Sequence, residues 1–257
     1  MKLKKASKTG DPITTAANAL KTPTMAKKNM VVLTGAGISA ESGLKTFRDH
    51  NGLWENYRIE DVATATALRK NPALVLAFYN MRRLEMLKAV PNAAHYGLVE
   101  LEQWFNVIII TQNVDDLHER SGSTHILHLH GELTKMRSVK TYAVTFPYTQ
   151  NIELGQRAPD GGQLRPHIVL FEEPVPNIEI AAQYAAMADL FVVIGTSLAV
   201  YPAAGLIDLV PHHVPKFIID KDIPPVNHLN ELTAIPLPAT QGIPVLINHP
   251  IVKEMGM

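Results

Sequence analysis

The chain of 257 residues contains no cysteine. Disulfides, thiolate nucleophiles and sulfur-ligated zinc are therefore excluded, and the composition is typical of a reducing compartment. The chain also has no apolar run near the roughly 18 residues that cross a bilayer, and its start lacks the apolar core of a secretory signal. We therefore expect a cytoplasmic protein with no membrane partner.

The chain has no net charge, because 24 basic residues balance 24 acidic ones, but the charges are unevenly distributed. Residues 1–29 hold seven lysines and one acid, Asp11, which leaves 17 basic and 23 acidic residues for the rest. A negative body does not suit nucleic-acid binding, which depends on neutralising phosphates. We predict that the basic segment is a disordered tail. A mitochondrial presequence is the alternative, although such segments favour arginine and this one has none.

Hydrophobic residues make up 46% of the chain, enough for a large core. From residue 30, short apolar runs alternate with longer helix-like stretches, which predicts a doubly wound α/β fold with a parallel sheet. The predicted strands cover 30–34, 106–110, 126–130, 190–195, 216–220 and 244–248. The first predicted helix begins near residue 40. The others cover 71–88, 93–104, 114–121, 178–188 and 202–210.

Two stretches interrupt this alternation. Residues 44–70 stand where a second strand would normally follow, and residues 134–165 form a polar insert with little strand character. We predict one catalytic domain over 30–257, with small-lobe insertions at about 44–92 and 134–165. Insertions of this length are usually functional or mobile.

The segment TGAGISAESG follows the first strand, and Gly35, Gly37 and Ala40 match the spacing of a dinucleotide-binding turn. Glycines at such a turn allow backbone amides to approach a pyrophosphate. A plain tight turn is the alternative. The acid expected about 20 residues further on is missing, so the far half of a dinucleotide would be held differently.

Small polar side chains follow two more strands, in TQNVDD and GTSLAV. Ligands of open α/β sheets bind at the carboxyl ends of strands, whereas turn chemistry alone is the alternative. The stretch HILHLHGE offers His125, His128 and His130. A metal site is conceivable, but no third ligand lies nearby in the sequence, and we predict none. His130 ends its strand beside the cofactor turn, where an imidazole suits a general base.

The segment AFYNMRRL places Tyr79 and Arg82 three residues apart, on one face of a predicted helix. A phenol and a guanidinium there could bind the same oxyanion. The alternative is a solvated Arg82 beside a core tyrosine, with Arg83 also exposed.

Five blocks, GAGISAESGLKTFRDHNGLW, TQNVDDLHERSG, HLHGEL, LRPHIVLFEE and GTSLAVYPAA, together resemble the ordered signature of the sirtuins, NAD-dependent protein deacylases. The resemblance runs from about Met30 to Val252. It implies a Rossmann-like domain plus a small lobe, with NAD in the cleft and an acyl-lysine peptide entering from the other side. In the family mechanism the acyl oxygen attacks the nicotinamide ribose, and a histidine activates a ribose hydroxyl, yielding nicotinamide and O-acyl-ADP-ribose.

The resemblance also implies roles for individual residues. The catalytic residues would be His130, Asn113 and Asp115. NAD would contact Gly35, Ala36, Gly37, Glu41, Thr46, Phe47, Arg48, Gln112, Gly195, Thr196, Ser197 and Asp220. The acyl-lysine substrate would contact Tyr79, Arg82, Val169, Phe171 and Val200. Sirtuins that prefer acidic acyl groups carry the same tyrosine and arginine, which implies a preference for succinyl and malonyl lysine.

Three departures from the family pattern stand out. Ser138 occupies the place of the first zinc-binding cysteine, so we expect a zinc-free lobe held by packing through Tyr142, Phe146 and Tyr148. Glu172 replaces a glycine in the substrate-binding loop and would be strained if that position has positive φ. Asp220 replaces an asparagine near the adenine ribose. Two alternatives stay open, a sirtuin-like NAD hydrolase or ADP-ribosyl transferase and a noncatalytic NAD-binding module. We expect a monomer.

Overall fold

The computed structural model describes residues 26–45, 53–54, 57–226 and 228–256. Most of the predicted basic tail, residues 1–25, lies outside the described residues. The strands are β1 (Asn29–Thr34), β2 (Leu53–Trp54), β3 (Tyr57–Arg58), β4 (Asn106–Thr111), β5 (Ile126–His128), β6 (Gly131–Ser138), β7 (Thr145–Pro147), β8 (Leu164–Ile168), β9 (Leu190–Ile194), β10 (Lys216–Ile219) and β11 (Leu232–Ile235). The helices are α1 (Ala36–Ala40), α2 (Ile59–Val62), α3 (Ala65–Lys70), α4 (Pro72–Lys88), α5 (Ala93–Leu101), α6 (Leu117–Ser121), α7 (Ile178–Ala186), α8 (Ala239–Ile247) and α9 (Pro250–Gly256), with a 3-10 helix over Ala203–Leu209.

Six strands form one sheet in the order β11-β10-β9-β1-β4-β5, and every neighbouring pair is parallel. This arrangement confirms the predicted Rossmann-like doubly wound fold. From β1 the chain continues through β4 and β5 on one side of the sheet. It then returns to the other side of β1 and continues through β9, β10 and β11. The order reverses between β1 and β9, and ligands of such sheets bind in the crevice at this switch point.

The central strands have continuous apolar runs, such as MVVL in β1 and VIII in β4, because both faces of the sheet are covered. Met30 and Val32 of β1 belong to a core with α5, α8 and α9. Val31 and Leu33 point to the other face and pack with α7 and the 3-10 helix. The register pairs Val32 with Ile109 and Val192, so three buried β-branched side chains stand in a row.

The prediction of a strand at 244–248 was wrong, because this segment lies in α8. A short apolar run cannot be assigned by periodicity alone. Ile243 and Leu246 bury one face of the helix against the sheet, and Gly242 approaches Ile219 so closely that a Cβ would lie 2.2 Å from its Cγ2. The sixth strand is β11, a short edge strand that the sequence did not reveal.

The polar insert also contains more strand than the sequence predicts. β7, β6 and β8 form an antiparallel sheet in that order, which begins directly after His130. The ring of Tyr142 contacts His167, with ring centroids 4.7 Å apart, and the hydroxyl of Tyr148 donates to the carbonyl of Asn151 over 3.0 Å. These contacts fit the predicted packing of the lobe.

Arg83, which the alternative interpretation of AFYNMRRL placed in solvent, is 1% exposed. Its Nε donates to the carbonyl of Leu133 over 2.7 Å and its Nη1 to the carbonyl of Gln150 over 3.2 Å. Burial lowers its pKa to about 10. The guanidinium of Arg83 thus ties α4 to the lobe.

Ser138, at the predicted place of a cysteine, takes part in a hydrogen-bonded turn. Its Oγ donates to Asp160 Oδ1 over 2.8 Å and accepts from the amide of Lys140 over 3.1 Å. The amide of Gly162 donates to the same Asp160 oxygen over 2.8 Å. Hydrogen bonds therefore close this part of the lobe.

In the described part of the chain, no helix combines the length and apolarity needed to cross a membrane.

Candidate active site

The predicted cofactor turn lies at the switch point of the sheet. Gly35 and Gly37 pack against the backbone of Gly195, which follows β9, and the amide of Gly37 donates to the carbonyl of Gly195 over 2.8 Å. A Cβ on Gly37 would lie 2.5 Å from the Cα of Gly195, and one on Gly35 would lie 2.6 Å from the Cβ of Thr196. Gly195 itself has φ of +63°. The glycines are thus required by the contact between two turns, in addition to any approach to a ligand.

Asn113 and Asp115 follow β4 at the same edge of the sheet, and both are 7% exposed. The side-chain Nδ2 of Asn113 donates to the carbonyl of Gly35 over 3.1 Å and to Ser39 Oγ over 3.2 Å. Ser39 Oγ in turn donates to Asp115 Oδ2 over 3.1 Å. Burial raises the pKa of Asp115, although hydrogen bonds from Leu117 and Ser39 oppose this. Ser39 thus orients both predicted residues. The sequence analysis missed it, although it stands inside the glycine-rich turn.

His130 lies just beyond β5, at the cleft edge of the lobe. Its Nδ1 contacts the carbonyl of Gln112 over 3.0 Å. Because a carbonyl only accepts hydrogen bonds, Nδ1 carries the proton, and Nε2 of the neutral ring keeps its lone pair. Burial lowers the pKa of His130, and the bond to Gln112 opposes that shift only in part. The ring is therefore a neutral base at neutral pH.

His128 has a different environment. Its Nδ1 contacts the carbonyl of Asn113 over 3.1 Å, and its Nε2 contacts Glu119 Oε1 over 2.7 Å. Burial disfavours the charged ring, but the hydrogen bond and charge of Glu119 outweigh burial and raise the pKa of His128. His125 contacts the hydroxyl of Tyr184 over 3.1 Å. The three histidines thus serve different parts of the structure.

The other predicted cofactor residues fall into three groups. Gln112 donates to Thr196 Oγ1 over 3.1 Å, which joins the ends of β4 and β9, and Ser197 follows directly. Asp220 ends β10 at the same edge, where its Oδ1 accepts from the amide of Asp222 over 3.0 Å. Glu41 instead accepts from Thr240 Oγ1 over 2.7 Å and from its amide over 3.1 Å, at the start of α8. Thr46, Phe47 and Arg48 lie outside the described residues.

The predicted substrate residues Val169 and Phe171 follow β8. The amide of Val169 donates to the carbonyl of His130 over 2.9 Å, so this segment is joined to the base. Phe171 is 41% exposed and Val200, on the loop after β9, is 38% exposed. Glu173 accepts from Arg165 over 2.5 Å and 3.1 Å, which holds the loop that carries Phe171.

Glu172 has φ of +74°, in the left-handed region that favours glycine, the residue that the sequence comparison led us to expect at this position. Its Oε2 accepts from the amide of Thr66 over 2.9 Å and from Thr66 Oγ1 over 2.7 Å, in the first turn of α3. These two hydrogen bonds lower the pKa of Glu172. The carboxylate therefore caps a helix, in a backbone conformation that favours glycine.

Tyr79 and Arg82 lie on α4 and are 4% and 8% exposed. Tyr79 packs in a cluster with Leu133 and Ile168 of the lobe, with Val114 at its edge. Burial raises the pKa of Tyr79, while the charges of Arg165 and Arg82 oppose the shift. Arg82 donates to Glu85 over 3.1 Å. Tyr79 thus packs near Val114, which lies between Asn113 and Asp115, whereas Arg82 also donates to the carbonyl of Lys45 over 3.4 Å.

Comparison with known proteins identifies the family. The model of the Sir2 family matches residues 35–202. An "NAD-dependent protein deacylase" of Bacteroides thetaiotaomicron is 55% identical over 199 residues, which cover 75% of this chain and 85% of that protein. A protein of the same name from Rhodopirellula baltica is 41% identical over 236 residues, covering 86% and 98% of the two chains.

Solved structures agree with the sequence matches. A Sir2 homologue in complex with NAD has a TM-score of 0.79 and 35% identity, and the alignment covers 90% of this chain and 91% of that one. A Sir2 complex with a p53 peptide and NAD has a TM-score of 0.73 and 27% identity, covering 86% and 92%. The matched segment contains the glycine turn, the residues after β4 and the proposed base, and the chain therefore belongs to the Sir2 family.

Proposed function

We propose that this chain removes acyl groups from protein lysines, and that it prefers acidic acyl groups such as succinyl and malonyl to acetyl. The chain is an NAD-dependent protein deacylase, because relatives more than 50% identical carry that name and the family model spans the site. The preference for an acidic acyl group is the further step. It depends on the position of Tyr79 and Arg82.

The edge of the sheet at the switch point suits NAD. Amide, hydroxyl and carboxylate groups meet there, and they can pair with ribose hydroxyls and with a carboxamide. The proposed contacts are Gly35, Ala36, Gly37, Gln112, Asn113, Asp115, Gly195, Thr196, Ser197 and Asp220. When bound, NAD supplies the electrophilic ribose carbon that accepts the acyl oxygen.

His130 supplies the base. The carbonyl of Gln112 holds the proton on Nδ1, so Nε2 can take a proton from a hydroxyl placed beside it. Because burial lowers the pKa of the ring, it stays neutral at the pH of the cytoplasm. Ser39 keeps Asn113 and Asp115 in place next to it.

The preference for acidic acyl groups follows from a buried cation. A carboxylate at the tip of an acyl chain loses hydration in a semi-enclosed channel and needs a compensating charge. Arg82 provides a planar fork of donors, and Tyr79 offers a hydroxyl three residues earlier on the same helix face. The guanidinium of Arg82 already binds one carboxylate, that of Glu85, over 3.1 Å. An acidic acyl tip would compete with Glu85, whose side chain is 39% exposed.

The substrate peptide is proposed to lie between Phe171 and Val200, which are both partly exposed. We also propose a lobe built from residues 44–92 and 134–165 that needs no thiolate-bound zinc, because the chain has no cysteine and Ser138 joins a hydrogen-bonded turn. We also propose a cytoplasmic location and a monomeric state, as expected from the sequence.

A peptide panel that differs only in the acyl group tests this function. We expect succinyl-lysine to be removed faster than acetyl-lysine, with NAD consumed in step. The variant Arg82→Met removes the cation. It should lose most of the preference for succinyl-lysine while its rate of deacetylation stays close to that of the unmodified chain. The matched variant Glu85→Gln removes the competing carboxylate and should keep the preference.

The same panel separates the alternatives. Equal rates for both acyl groups in the unmodified chain would refute the acidic preference but leave the deacylase in place. NAD hydrolysis without any loss of acyl group would indicate a hydrolase instead. His130→Tyr should abolish turnover while NAD binding, followed by calorimetry, remains.

A further inference from the structure

The histidine His128 lies in a cluster that the deacylase chemistry does not use. Glu119 on α6, His128 on β5 and Glu132 on β6 each direct one ligand atom to a common point, and these atoms all lie within 4.8 Å of one another. The cluster borders a cavity of about 430 Å³ that is also lined by His167 and Lys135. It joins the edge of the parallel sheet to the lobe.

The two nitrogen contacts of His128 cannot both be hydrogen bonds of a neutral ring. Its Nδ1 meets the carbonyl of Asn113 and its Nε2 meets the carboxylate of Glu119, and both groups are acceptors. A neutral imidazole has only one N–H, so it satisfies one of the two. Either a second proton or a metal ion must stand at Nε2. A backbone carbonyl that holds the proton on one ring nitrogen is the usual arrangement around a metal-binding histidine.

His167 provides an independent observation. It stands opposite Glu132 in the ladder between β6 and β8, so the two side chains share one face of this small sheet. It is 9% exposed, and its Nδ1 has no hydrogen-bond partner among the described residues. A buried ring nitrogen without a partner is costly, and this ring lines the cavity that the cluster borders.

We propose that Glu119, His128 and Glu132 form a binding site for a divalent transition-metal ion of the zinc type, with His167 lining the same cavity. One imidazole and two carboxylates are nitrogen and oxygen ligands that zinc accepts, and they leave a fourth position for a water molecule. Bond lengths near 2.1 Å place such ligand atoms about 3.4 Å apart, so Glu119 and His128, now 2.7 Å apart, would separate slightly.

Lys135 is the main competitor of the ion. Its ammonium contacts Glu132 Oε2 over 2.6 Å, and a bound ion would displace it. The Lys135 side chain is 39% exposed, so it can turn into solvent. The site differs from a thiolate zinc site, since it uses no sulfur and clamps α6 and β5 to the lobe strands.

A chelator first removes any bound metal from the full chain, and the chelator is then removed. The chain is titrated with Zn²⁺, and binding is measured by calorimetry. We expect one equivalent to bind, and Glu132→Gln and Glu119→Gln to weaken binding by at least about tenfold. The control Glu179→Gln changes an exposed glutamate on α7 and should bind as the unmodified chain does. NAD-dependent deacylation, measured in the presence of chelator, shows whether each variant is folded. If Glu119→Gln is not folded, the result for Glu132→Gln decides the test.

Visible absorption of the Co²⁺ form gives a second readout, because a four-coordinate site absorbs more strongly than an exposed six-coordinate one. No binding to the unmodified chain would overturn the proposal, since His128 would then be only the protonated partner of Glu119. Binding that survives both glutamine variants would also overturn it. Loss of that binding in His228→Gln would assign the ion to the exposed pair of Asp208 and His228, which are 3.0 Å apart.

Discussion

Acid should destabilise this protein through two buried histidines behind the cofactor turn. His95 and His118 are 0% and 1% exposed, and their ring centroids are 5.0 Å apart. Nδ1 of His95 accepts from the amide of Asn92 over 3.2 Å in the capping box of α5, while its Nε2 has no partner among the described residues. Burial lowers the pKa of His95 to about 4 and that of His118 well below its usual value.

The magnitude follows from proton linkage. In the unfolded chain a histidine titrates near pH 6.5, whereas His95 in the folded chain titrates near 4. Between these values the unfolded state binds the extra proton, so stability is complete above about pH 6.5 and falls as the pH drops towards 4. The difference corresponds to about 3 kcal/mol for His95 over the whole range and to about 2 kcal/mol by pH 5.

The variant His95→Gln isolates this effect. A glutamine at the third helical position can keep the capping-box hydrogen bond to the amide of Asn92, but it does not titrate. Urea unfolding at about pH 7.5 and pH 5 should show that the unmodified chain loses about 2 kcal/mol more than the variant does. His167 remains in both chains and cancels in the comparison, whereas the charge of a protonated His95 also lowers the pKa of His118, so the difference between the two chains includes this coupling. Equal losses in the two chains would refute the reasoning.

Two further predictions concern the cleft. Ser39→Ala removes the hydroxyl that joins Asn113 to Asp115, so we expect the NAD dissociation constant to rise by about tenfold in calorimetry; an unchanged constant would mean that the two side chains are held by their other contacts. Glu172→Ala loses the cap on α3 and keeps a side chain at positive φ, whereas Glu172→Gly loses the cap and relieves the backbone. The glycine variant should therefore melt at the higher temperature of the two, and equal melting temperatures would show that the backbone is not strained.

Much of the architecture was predictable because its signals are local. Five of the six predicted strands were confirmed, since runs such as VVLT and VIII have β-branched residues at successive positions and both faces buried. The carboxyl ends of those strands had to meet at one edge, which brings the glycine turn near Asn113 and Gly195. The failure at 244–248 has the opposite cause, because an apolar run of five residues fits a strand or a buried helix equally well.

The sequence by itself determined the sheet and the family, because apolar runs and motif blocks act through near neighbours in the chain. The tertiary structure alone decided what distant side chains do. Arg83, placed in solvent by one interpretation of the sequence, is buried because α4 passes against the lobe. No third ligand for His128 was evident in the sequence, and Glu119 and Glu132 lie close to it only once α6 and β6 are in place. Such contacts depend on pairing between segments far apart in the chain, which no local pattern records.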